Sequence, residues 1–148
     1  MAKLTVSAMI LTVVLLAWTG TVPALGEPKP YVGKIEDLVA EHPLESKDAP
    51  KVTPLAEGEG SSVALIQTLA PVKLHYHETH DETVVVWSGK GKMRLGDETH
   101  SVGPGSILFI PRKTLHSFEP TGEEKAVVIS TFSPPFDGED RVFVPEEE

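Results

Sequence analysis

At 148 residues with 40% hydrophobic content, the chain is long enough for one domain and too short for two comfortable ones. Its formal charge of −9 repels nucleic-acid phosphates and anionic membranes, which argues against a nucleic-acid partner and fits small-molecule ones. It has no cysteine, which rules out both a disulfide and a lipid anchor on a leader cysteine.

In chain order, residues 1–26 open with Lys3, continue through an apolar stretch at 9–18 and end in Val22-Pro23-Ala24-Leu25-Gly26. A positive start, a short apolar core and small residues before a cleavage point describe a secretory signal peptide. The apolar run falls short of the roughly 20 residues a bilayer span needs. The leader is therefore expected to be removed, leaving a mature chain that starts near Glu27, is periplasmic or secreted, and has no membrane association. Residues 27–60 are rich in Pro, Glu and Gly and read as an N-terminal arm. The arm holds one amphipathic stretch, residues 35–40, with apolar positions at helical spacing and Pro43 to close it. It either packs outside the domain or on a neighbour, or is partly unstructured.

From Ser61 the pattern changes. Short runs rich in Val, Ile, Leu and Thr recur at 63–70, 72–77, 83–87, 92–95, 99–102, 107–110, 115–119 and 126–132. Gly96-Asp97, Gly103-Pro104-Gly105 and Pro120-Thr121-Gly122 mark turns between them. Many short strands at close spacing predict an all-β sandwich or barrel over 61–145, with residues 141–144 as a further edge strand. The acidic tail 146–148 is expected to be solvated.

The residues with chemistry are His75 and His77, then Glu82, then His116. On a strand, positions i and i+2 share a face, so the two imidazoles point together. Glu82 opens the next strand after a turn, within reach of the same point. Three neutral imidazoles and one carboxylate suit one first-row divalent ion: manganese, iron, copper, zinc or nickel. Four ligands leave one or two open positions on an octahedral ion, where water or substrate would bind.

The spacing has a further meaning. His75-x-His77, four residues, Glu82, six residues and Gly89 resembles the first cupin motif. Gly105, five residues, Pro111 and then His116 resembles the second, with residues 90–104 as the short spacer of compact bacterial cupins. The resemblance is close over 71–116. It implies a double-stranded β-helix, or jelly roll, with the family's metal ligands falling on His75, His77, Glu82 and His116. It also implies pairing through outer strands, so a homodimer is expected. There are three departures: Leu69, Lys113 and Pro120 stand where the family has glycine, glycine and asparagine. Gly89 and Gly91 read as bracketing a turn that uses positive φ.

Other residues read as structural. His80 and Asp81, in the loop between ligands, are expected to be solvated, and His42 and His100 to lie on the surface. Lys73 shares parity with the histidines but lies near a strand end, so its ammonium should reach solvent. Phe109 and Phe118, with Val84, Val86 and Leu108, read as barrel core, while Trp87 lines a mouth or covers a dimer face. The function expected is a small-molecule metalloenzyme, dioxygenase-like or isomerase/lyase-like. The alternatives are a non-catalytic binding or sensing module using the same pocket, and a structural barrel.

Overall fold

A computed structural model describes residues 28–145. The expected leader, residues 1–26, and the acidic tail, 146–148, lie outside the described residues. None of the described helices is long and apolar enough to cross a membrane.

The domain is one short helix and ten strands. The helix α1 is Ile35–Glu41, and the strands are β1 Lys51–Glu57, β2 Ser62–Thr68, β3 Val72–Tyr76, β4 Asp81–Ser88 and β5 Gly91–Leu95. After these come β6 Glu98–Val102, β7 Ile107–Ile110, β8 His116–Pro120, β9 Ala126–Ser133 and β10 Val142–Phe143. They form two five-stranded antiparallel sheets, ordered β1-β2-β9-β4-β7 and β10-β3-β8-β5-β6. This is the expected all-β jelly roll.

Alternation along the strands fills the barrel. On β4, Glu82, Val84 and Val86 are buried, while Val85 and Trp87 between them are exposed. On β7, Leu108 and Ile110 turn inward against Val84, Val86 and Met93. Phe109 does not join them. It sits one position off the inward parity and is 62% exposed, contrary to the expectation that it belongs to the core. Its neighbour in the register is Thr83, and Ile107 faces Val85. An apolar stripe of Val85, Trp87, Ile107 and Phe109 thus lies on the outside, beside edge strand β7.

The arm packs on its own domain. The apolar spacing of Ile35, Leu38 and Val39 makes α1 amphipathic, and Leu38 seats against Leu65 and Val127 on the outer face of the first sheet. Gln67, fully buried, donates from Nε2 to the His42 carbonyl at 2.6 Å and accepts from Lys125 Nζ at 2.8 Å. The sheet begins at Lys51, well before the change of composition at Ser61. Strand β1 reads poorly from sequence because Pro54 interrupts it. It tolerates that proline because it is an edge strand with a bulge between Pro54 and Ala56.

Two glycines have distinct reasons. Gly89 has φ +76°, and a Cβ there would meet the Ala126 backbone at 2.6 Å. Gly91, which is outside the positive-φ set, is required for space: a Cβ would stand 2.2 Å from Phe118 Cε2 and 2.5 Å from the Glu119 carbonyl oxygen. Lys113, at the position of a family glycine, keeps the left-handed conformation with φ +66°. Its N–H donates to the His77 carbonyl at 2.6 Å and its ammonium meets Glu78 at 2.7 Å.

Candidate metal centre

His75 and His116 are register partners on β3 and β8, so one sheet sets them side by side with ring centroids 4.1 Å apart. His77 follows β3 on the same parity. Glu82 comes from β4 in the opposite sheet, and the site therefore bridges the two halves of the barrel. All four side chains are buried. The ligand atoms of the three histidines lie within 4.8 Å of one another, so these three could hold a metal ion. Glu82 Oε2 lies 3.6 Å from His77 Nε2 and 3.5 Å from His116 Nε2. Two donors about 2.1 Å from one ion stand about 3.0–3.4 Å apart, close to this spacing.

The hydrogen bonds around the rings decide what the site can accept. Each Nδ1 lies against a backbone carbonyl: Lys73 for His75 at 2.7 Å, Asp140 for His77 at 2.9 Å, and Thr114 for His116 at 2.8 Å. A carbonyl oxygen has no proton, so Nδ1 must be the donor and Nε2 carries the lone pair. His77 Nε2 and His116 Nε2 are buried without any hydrogen-bond partner. Ser130 Oγ donates to Glu82 Oε1 at 2.7 Å, leaving Oε2 turned toward the rings. The result is a cluster of acceptors around one point with no neutral donor among them. Such a cluster could hold a cation, and the donor set fits a divalent metal.

The electrostatics agree. Burial, helped by the charges of His116 and Arg141, pushes His75 down to about 4, which favours the neutral ligand form. Burial alone would raise the Glu82 carboxyl, but the His116 and His77 rings beside it and the bond donated by Ser130 outweigh it and hold the carboxyl well below the usual carboxylate range. Glu82 is therefore an anion facing the imidazoles.

Further contacts to the ligands come from the C-terminal segment. The segment after β9 folds back over the site, with Phe136 stacked on Phe132 at 4.7 Å and both rings edge-on to His77. The Asp140 carboxylate accepts from the backbone N–H groups of Glu78 and Thr79 at 2.9 and 3.0 Å, and from His80 Nδ1. His80 is buried, in place of the solvated loop residue expected, and its Nε2 also donates, to the Pro135 carbonyl at 3.0 Å. Burial works against the charged form of His80, but these two acceptors raise its pKa overall. Asp81 is likewise engaged, in a two-pronged pair with Arg112 at 3.0 and 3.2 Å. Lys73 is exposed, as its place near the strand end suggested.

Residues 65–132 match a family model described as cupin domain. The chain is 36% identical over 110 residues to an uncharacterized protein of Aquifex aeolicus, covering 74% of this chain and 89% of that one. The chain belongs to the cupin superfamily. Among solved structures, this cupin is similar to KdgF from Halomonas sp., at 25% identity and a TM-score of 0.58, covering 66% of this chain and 91% of that one. It also superposes on Pac13, described as a nucleoside dehydratase, at 17% identity and a TM-score of 0.61, covering 81% and 93% of the two chains. That second likeness carries the fold alone.

Ser130, Asp140 and Arg141 are absent from the sequence-level site. Ser130 had a local signal, since it shares inward parity with Phe132 on a strand that the sequence marks. Asp140 had none. Its bond to His77 spans 63 residues, and only the return of the chain end creates it.

Proposed function

We propose that this cupin is an exported metalloenzyme acting on a small molecule, with one divalent ion held by His75, His77, Glu82 and His116. The observation that carries the reading is the set of three imidazoles whose Nδ1 atoms are committed to backbone carbonyls, with the Nε2 atoms of His77 and His116 facing one buried carboxylate. When bound, such an ion supplies Lewis-acid polarisation of a ligand oxygen or, if redox-active, electron transfer. The chain itself would orient the ligands through Lys73, Asp140, Thr114 and Ser130 and keep water out with hydrocarbon walls.

Those walls enclose a cavity beside the histidines, lined by Ile66, Val72, Val84, Met93, Leu108 and Phe118 among others. Its apolar lining suits an organic ligand. The same lining supports the second reading, a binding or sensing module. Among the described residues Glu82 is the one carboxylate on the cavity, and metal ligation would occupy it, leaving no separate general base among them. Export rests on the leader pattern, and a homodimer would form through the stripe at Val85, Trp87, Ile107 and Phe109.

The test is reconstitution of metal-free protein with manganese, iron, copper, zinc and nickel in turn. Oxygen uptake and turnover would then be assayed over phenols, small ketones and acids. Turnover with one metal form and none with the His75→Ala, His77→Ala variant supports the enzyme. Ligand binding without turnover for every metal assigns the protein to the binding class.

A further inference from the structure

The segment that brings Asp140 to His77 also brings Arg141, which lines the same cavity as His75, Glu82 and His116. Arg141 immediately precedes β10, whose Phe143 is the register partner of His75. By strand alternation Arg141 and Phe143 share a face, the one on which His75 lies. Phe143 and His75 rings are 5.9 Å apart.

Arg141 differs from the other cations near the site: Lys90, which lines the same cavity without a carboxylate partner, is exposed to water. Arg112 is paired with Asp81 and Lys113 with Glu78. Arg141 pairs with no carboxylate among the described residues, and its Nε is buried without a hydrogen-bond partner. The acid beside it in sequence, Asp140, is committed to Glu78, Thr79 and His80. A partly buried guanidinium with no counter-charge is costly unless an anion completes it. A divalent ion on the ligand cluster would add positive charge to the same cavity, beyond what the single Glu82 anion offsets.

We infer that Arg141 is a binding residue for the carboxylate of an amphipathic organic acid whose apolar body fills the barrel cavity. The inference rests on reading the cavity as a ligand pocket beside a metal. A planar carboxylate matches the fork of a guanidinium and can accept two parallel N–H bonds. Phosphate is disfavoured, because its remaining charged oxygens would face the hydrocarbon of Val72, Met93, Phe118 and Val128.

The experiment is calorimetric titration of the full chain, zinc-loaded and separately chelator-treated, with benzoate, its neutral isostere benzamide and inorganic phosphate. Zinc is chosen because it is redox-silent. The parent should prefer benzoate to benzamide by about 10- to 100-fold in the zinc form. Arg141→Gln should keep its zinc and its melting temperature and lose most of that preference, with Arg141→Lys in between. An equal affinity for benzoate and benzamide in the parent overturns the proposal, as does a preference kept in Arg141→Gln or tighter binding of phosphate. The metal reading fails separately. If the parent takes up no zinc, the chelator-treated arm still decides Arg141 by the same comparison.

Discussion

Removing the metal should lower stability by an amount the geometry sets. The ligand cluster exists only when β3, β4 and β8 are assembled, so a divalent ion binds the folded chain far better than the unfolded one. Binding then adds RT ln(1 + [M]/Kd), about 2.7 kcal/mol at a free-metal concentration a hundred times Kd. For a domain of this size, each kcal/mol moves Tm by about 4 °C, giving a rise of about 10 °C on saturation. Histidines in the unfolded chain bind some metal and trim that figure. The assay is thermal unfolding by circular dichroism, on chelator-treated protein titrated with zinc. The parent should shift with a one-to-one midpoint, and the His75→Ala, His77→Ala variant should keep its fold and lose the shift. A parent whose Tm ignores zinc, or a double variant that shifts equally, would refute the reasoning about the Nε2 cluster.

Four further outcomes follow from particular contacts. Ser130→Ala frees Glu82 Oε1 from its bond at 2.7 Å, and should cut metal affinity by about tenfold in a competition titration while leaving the stoichiometry unchanged. Gly91→Ala sets a Cβ against Phe118 and the Glu119 carbonyl, and should cost about 1–3 kcal/mol in urea unfolding; a neutral result contradicts the close approach. Metal-free protein should lose stability as pH falls from 6.5 toward 4. In that window the unfolded chain protonates His75 and the folded chain does not, so unfolding takes up a proton; the contribution is complete above 6.5, amounts to at most about 3 kcal/mol, and should vanish in His75→Ala. Lys113→Gly should be neutral or stabilising by up to about 1 kcal/mol, because relief of a left-handed lysine outweighs an exposed pair with Glu78; a loss above 1 kcal/mol would give that ion pair more weight than exposed pairs carry.

The sequence was most informative where one period ruled one face. Strand β4 shows it best: Glu82, Val84 and Val86 turn inward together because the side-chain period is two, and one buried face then fixes the register of the whole strand. The same rule should have separated Phe109 from Leu108, since neighbours on a strand cannot both face the core. Composition suggested a phenylalanine belongs inside, and parity on β7 overrides it. Strand β1 was illegible for a different reason. Its proline breaks the propensity signal, and only its position at a sheet edge makes the proline harmless.

The groups that hold the ligands in place were legible only in part, and their physics explains the rest. Two of the three imidazole tautomers are set locally, by carbonyls two residues upstream: Lys73 for His75 and Thr114 for His116. The third, on His77, is set by Asp140 from the far end of the chain. The same aspartate holds the loop that leads from His77 to Glu82, through the N–H groups of Glu78 and Thr79 and the ring of His80. One residue therefore orients a histidine through its backbone and steadies the approach to the carboxylate through its side chain. A motif over 75–116 carries the four expected ligands but none of this, because the motif records neighbours along a strand and the C-terminal segment meets them only after both sheets have closed. The cost of ordering that segment must be met by what it touches: the stacked Phe132 and Phe136 and the His80–Asp140 pair. A ligand that engages Arg141 would thereby also hold in place the carbonyl that orients His77.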